Sequence, residues 1–224
     1  MDAMPGLAQD ALVVLIAYVI GAVPFSYIMS HLGAGINIRE HGEGNVGARN
    51  VYHVVGHRWG AAAALLDVAK GIAVFFVADR FAATTLAFLL CGVAVAMGHN
   101  FSVFLGFRGG KGLSVVFGFL LSYLPAPTLA GMLVIIGAYF VTRDINKALV
   151  FGIPLMVLLP PLFGAPWWTV PYAVALFLLC AWKKIVDRAH EQEVWSRRPW
   201  AEGTPGFHED SPGAEGTGTE ATRP

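Results

Sequence analysis

Seven apolar segments, at roughly residues 11–32, 59–78, 82–98, 113–125, 128–142, 148–163 and 168–182, most constrain what this chain can fold into. A helix needs about 20 residues to cross a bilayer, and the fourth to sixth segments fall short of that. Backbone polar groups in hydrocarbon must be satisfied within the protein, which leaves helices or closed barrels. The runs are continuous rather than alternating, so they predict helices and not barrel strands. Composition agrees, since 56% of the 224 residues are hydrophobic and 13% are charged. Soluble domains carry about 25% charged residues. The expected fold is an all-α integral membrane protein with about seven transmembrane helices, formed by residues 1–198.

The charged residues set the expected orientation. With the N-terminus outside, thirteen of the fifteen Lys and Arg residues fall on inner segments, Arg80 alone lies outside, and Lys70 sits within the second span. The positive-inside rule then predicts a cytoplasmic C-terminus. Residues 1–10 lack Lys and Arg, so no positively charged n-region of a secretory signal is present and the first segment reads as a retained span. Residues 183–198 are charged and read as a surface helix. Residues 199–224, rich in Gly, Pro, Thr and Glu, read as a disordered cytoplasmic tail. A net charge of zero excludes bulk attraction to nucleic acid. Cys91 and Cys180 lie in apolar runs and read as small hydrophobes. The seven histidines show no zinc-ligand spacing, so no metal or other cofactor is expected.

Two glycine-rich loops interrupt the apolar pattern, both on the inner face in this orientation. The first runs from Asn37 to Asn50 and holds Arg39, Gly42, Glu43, Gly44, Asn45, Gly47, Arg49 and Asn50. The second runs from Gly98 to Gly112 and holds His99, Arg108, Gly109, Gly110 and Lys111. Glycine lets backbone N–H groups converge on an anion, and Arg or Lys supplies the counter-charge. Together the loops predict a phosphate-handling site. The second leads into an apolar segment whose helical N-terminus is a further anion site, with Lys111 as a point charge. It is not a Walker A loop, because Leu105 stands where the first Gly belongs and Gly112 follows Lys111. No Gly-x-Ser-x-Gly elbow and no His-x4-Asp stretch occurs. His99 reads equally as a general base or phosphate donor and as a satisfied interfacial residue.

Asp67 and Lys70, three apart within the second span, share a helix face. They read as a self-neutralising pair or as a support for the loops. Gly21-Ala22-Val23-Pro24-Phe25-Ser26 places Gly and Pro inside the first span and predicts a kink.

The segments Gly21–Ser26, Ile38–Val51, Leu66–Gly71 and Gly98–Gly112, in that order, resemble the PlsY-type glycerol-3-phosphate acyltransferases, bacterial membrane enzymes that use acyl phosphate. The resemblance covers about residues 11–182. Glu43 replaces a Ser of the family pattern, Arg49 a Thr, and His53 aligns with an Arg. The family's C-terminal motif is replaced by Lys183-Lys184-Ile185-Val186-Asp187-Arg188-Ala189-His190.

The resemblance implies a multi-pass protein of the bacterial cytoplasmic membrane, working on acyl phosphate and glycerol 3-phosphate amid membrane lipid. Asn45, Asn50, Arg108, Lys111 and His99 are then expected at phosphate and carbonyl oxygens, with Arg39 and Arg49 as further phosphate-side cations. Gly42, Gly44, Gly47, Gly109 and Gly110 would supply backbone donors. The attacking hydroxyl would lose its proton to the leaving phosphate, to His99 or to Glu43. Two other readings remain open: a divergent acyltransferase with another acceptor, and a lipid-binding or partner protein without catalysis. The oligomeric state is not legible.

Overall fold

The computed structural model describes residues 4–197, and every regular element among them is helical. The expected tail at 199–224 lies outside the described residues. In chain order the helices are α1 (Met4–Ala22), α2 (Phe25–Ala34), α3 (Ala48–Val54), α4 (His57–Phe81), α5 (Thr85–Asn100), α6 (Leu113–Tyr123), α7 (Pro125–Thr142), α8 (Ile145–Leu158) and α9 (Thr169–Arg197). Two compact units form among the described residues: 4–24 with 65–186, and 25–64 with 187–197.

Among the described residues five apolar stretches are long enough to cross a membrane: Gly6–Ala34, His57–Phe81, Thr85–Leu105, Pro125–Thr142 and Thr169–Arg197. The fourth and sixth expected spans are shorter apolar helices, Leu113–Tyr123 and Ile145–Leu158. The outward faces of the long helices carry the signature of lipid, not water. Leu15 is 58% exposed, Leu133 68%, Phe140 64% and Leu178 62%. Apolar surface this extensive is not tolerated on a soluble monomer. The chain is an all-α integral membrane protein.

Within the first unit, α1 packs along α5 and α7 along α8. The α1–α5 crossing needs glycine. A Cβ at Gly98 would run into the Tyr18 carbonyl, and one at Gly21 into the Val95 carbonyl. Close backbone approach through small residues is how helices associate where lipid removes the hydrophobic drive between them. One buried cluster joins Val13, Ala17, Val74, Cys91, Val95 and Phe119, and a second joins Val116, Leu120, Met156, Ala173, Leu176 and Cys180. Both cysteines are free and buried, as small hydrophobes. Asp10 fastens the α4–α5 turn, its carboxylate accepting from Ala83 N–H and Thr84 Oγ1, each at 2.7 Å. Thr84 in turn caps α5 by accepting from Ala87 N–H.

The kink expected at Gly21–Ser26 is a break in the first span after Ala22, because Pro24 has no N–H to continue the ladder. One expectation changes. The charged stretch after Trp182 is no separate surface helix. It continues α9 to Arg197, and Lys183 within it is 2% exposed. Lys, Arg, Glu and Ala are strong helix formers, and no Gly or Pro between Tyr172 and Arg197 stops the helix.

Candidate active site

The first glycine-rich loop lies in the second unit. It opens on a short 3-10 turn, Ile38–Glu40, capped by Asn37, whose Oδ1 accepts from Arg39 N–H at 3.3 Å and Nε–H at 3.1 Å. Gly42 (φ 58°) and Gly44 (φ 69°) then turn the chain through the left-handed region. A Cβ at Gly42 would also collide with the Asn50 side chain.

Asn50, at 0% exposure, is the loop's hub. Its Nδ2 shares its two hydrogens among the carbonyls of Ile38 (3.1 Å), His41 (3.0 Å) and Asn45 (2.9 Å), and its Oδ1 accepts from Glu43 N–H (2.9 Å). The sequence expectation put Asn50 at substrate oxygens. In the structure its amide is occupied by the loop's own backbone, so it shapes the loop from below. Asn45 is the outer member of the pair, donating from Nδ2 to Glu43 Oε2 at 3.2 Å.

Glu43 and Arg49, two of the departures from the family pattern, face each other, with Arg49 Nε 3.1 Å from Glu43 Oε1. With side chains 40% and 26% exposed, the pair adds little stability; exposed pairs give about 0–1 kcal/mol. Its effect is neutralisation, since the added carboxylate carries its own cation. Arg39 lies over the Tyr27 ring, 5.6 Å from its centroid. The unit's C-terminal segment closes on the loop, with His190 Nε2 3.2 Å from the Arg39 carbonyl and Val194 against Gly44. Burial, above all, holds His53 below its ordinary value of 6.5; Glu43 opposes this, while Arg49 and His57 add to it.

The second loop lies in the first unit, beside the break in the first span. A helix ending in lipid leaves orphan carbonyls. Here Lys70 Nζ donates to Gly21 O at 2.9 Å and Val23 O at 2.8 Å, and Ser102 Oγ donates to Ala22 O at 2.5 Å. Three successive carbonyls are thus capped by side chains of other elements. Asp67 Oδ1 lies 3.0 Å from Lys70 Nζ and 3.6 Å from His99 Nδ1. All three are buried, with Asp67 at 1%, Lys70 at 4% and His99 at 8% exposure. The Asp67–Lys70 pair therefore has a definite structural task, and His99 sits against it.

The end of α5 claims the expected glycine donors. Gly110 N–H donates to His99 O at 3.0 Å and Gly109 N–H to Asn100 O at 3.1 Å. Arg108 is exposed and Lys111 half-buried. Lys183 Nζ lies 5.1 Å from the centroid of the Phe101 ring. Beyond Gly112 (φ 78°), α6 begins with no side chain capping its first turn.

The predicted site residues thus fall into two groups. Arg39, Gly42, Glu43, Gly44, Asn45, Gly47, Arg49 and Asn50 share one loop of the second unit, and His99, Arg108, Gly109, Gly110 and Lys111 share one loop of the first. Sequence reasoning missed Asn37, Asn100, Ser102 and Asp10. Asn37 and Ser102 carried a signal, each being a capping residue type just before a short helical turn. Among the described residues no group of three or more His, Cys, Asp or Glu could hold a metal ion.

Apolar spans interrupted by two glycine-rich loops define a polytopic membrane protein. The family model described as glycerol-3-phosphate acyltransferase matches residues 11–191. The glycerol-3-phosphate acyltransferase of Desulforudis audaxviator is 34% identical over 172 residues, 77% of this chain and 86% of that protein. That of Chlorobaculum tepidum is 38% identical over 164 residues, covering 68% and 69%. The crystal structure of PlsY (YgiH), an integral membrane glycerol 3-phosphate acyltransferase, in its glycerol 3-phosphate form, superposes with a TM-score of 0.72 at 27% identity, covering 84% of this chain and 93% of that one. The chain belongs to the glycerol-3-phosphate acyltransferase family and is a membrane acyltransferase.

Proposed function

We propose that this protein acylates glycerol 3-phosphate to lysophosphatidic acid, drawing the acyl group from an acyl phosphate at the inner face of a bacterial plasma membrane. The family match along residues 11–191 carries this reading. Relatives solved in glycerol 3-phosphate and lysophosphatidic acid forms support the acceptor and product. Seven spans with the N-terminus outside would put both loops on the cytoplasmic face, where soluble glycerol 3-phosphate is met.

In the reaction the acceptor hydroxyl oxygen attacks the acyl carbonyl carbon, and the bond from that carbon to the phosphate oxygen breaks. Phosphate leaves, so no covalent enzyme intermediate is needed, and the protein's work is positioning and charge neutralisation. Lys111 and Arg108 are the proposed phosphate cations of the second loop, and Arg39 and Asn45 are the proposed polar contacts of the first. The hydroxyl proton goes to the departing phosphate. Glu43 already holds Arg49 and Asn45, which disfavours it as the base.

The Glu43–Arg49 pair favours this reading over an altered acceptor, because the loop meets a phosphate without a net added negative charge. The test is release of lysophosphatidic acid by purified, lipid-reconstituted protein given palmitoyl phosphate and glycerol 3-phosphate. Product that disappears with Lys111→Ala supports it. No product from folded protein, beside an active relative, overturns it in favour of another acceptor or a role without catalysis.

A further inference from the structure

Asn100 is the residue for which the fold gives no account. It ends α5 at 0% exposure, and neither its Oδ1 nor its Nδ2 has a hydrogen-bond partner among the described residues. Native proteins pair buried amides almost without exception, so such a group marks a missing partner. The side chain faces the start of α6, where a Cβ at Gly112 would lie 2.6 Å from Oδ1 and 3.6 Å from Nδ2. That start is itself short of partners. Gly112 supplies no side-chain cap, and the first N–H groups of any helix have none within it.

We infer that Asn100 is a further substrate-binding residue, its amide forming with the uncapped N–H groups of α6 a seat for a phosphoryl group. The inference rests on the acyl-transfer reading above and adds to it a residue and a reason. Helix N-terminal N–H groups favour an anion. Asn adds what they lack, an acceptor beside a donor. A phosphate carrying one proton offers both complements, a P–O⁻ for Nδ2–H and a P–OH for Oδ1. The phosphate released in acyl transfer has just taken up such a proton. Gly109 and Gly110 are tied to the end of α5, so Asn100 supplies a donor that the glycines do not.

The phosphoryl group belongs either to the acyl donor or to the glycerol phosphate acceptor, and kinetics separate the two. Asn100→Leu keeps the branching at Cγ and removes both polar atoms. Taking an unsatisfied amide out of the interior is neutral or stabilising, so the variant should melt no lower than the parent. Its KM for one of the two substrates should rise at least ~10-fold, and the substrate affected names the source. Inorganic phosphate should raise the melting temperature of the parent and not of the variant. Unchanged KM and kcat in a folded Asn100→Leu overturns the inference and makes Asn100 an unsatisfied structural residue. Should leucine not be accommodated, Asn100→Ser, too short to reach the same oxygen, gives the same readout. A parent inactive on both substrates would speak against the reaction, while the phosphate-dependent melting shift would still decide the role of Asn100: present in the parent and lost in the variant, it stands; equal in both, it falls.

Discussion

Replacing Lys70 with Met tests the account of the broken first span most directly. Methionine matches the length of the lysine stem and removes only the ammonium. That ammonium serves three acceptors, Asp67 Oδ1 at 3.0 Å, Gly21 O at 2.9 Å and Val23 O at 2.8 Å. Removing one partner of a buried ion pair costs about 3–5 kcal/mol, because the other charge stays buried. Each carbonyl left without a donor costs about 1–3 kcal/mol. One group supplies all three contacts, so the terms overlap, and the expected loss is about 4–6 kcal/mol. That is comparable with the whole stability of many domains, about 5–15 kcal/mol.

The double variant Asp67→Asn/Lys70→Met separates the two contributions. It removes the stranded carboxylate and leaves only the orphan carbonyls, so it should recover about 2 kcal/mol or more of the loss. Reversible unfolding of the purified protein by SDS in mixed micelles measures each value. A loss below about 1 kcal/mol for Lys70→Met would refute the capping argument, since that is the worth of an ordinary exposed contact. A double variant no more stable than Lys70→Met would refute the charge argument while leaving the capping argument standing.

Three further outcomes follow from the second unit. Asn50→Leu removes four hydrogen bonds at the hub of the first loop, and at about 0.5–1.5 kcal/mol each it should cost about 2–6 kcal/mol and open the loop to limited proteolysis. Arg49→Ala strands Glu43 beside the expected phosphate and should raise the KM for a phosphorylated substrate several-fold, with the double variant Arg49→Ala/Glu43→Ser restoring it; a double variant as weak as the single would show that Arg49 binds substrate itself. His53 is held below its ordinary 6.5, so the folded state binds fewer protons than the unfolded one as pH falls through that value. Stability should therefore be flat above 6.5 and decline below it, and His53→Gln should remove that slope in a melting series across pH.

Continuous apolar runs made the helices legible, because lipid permits little else. Hydropathy does not register where a helix leaves the lipid, so the polar extension of α9 looked like a separate element. Residue types in the two loops were legible as well, but their hydrogen-bond partners were not. Asn45 and Asn50 are the same residue five positions apart, and only the fold turns one inward to three carbonyls and the other toward Glu43. Gly109 and Gly110 show why. A pair of glycines before a lysine reads as an anion nest, but α5 ends at Asn100 and leaves carbonyls that must be satisfied. The nearest backbone donors are those glycines, so they become the cap of α5. A glycine loop can offer an anion only the donors that adjoining helix ends have not claimed. Here those are at the start of α6, where Gly112 adds no side-chain cap, and beside it in Asn100.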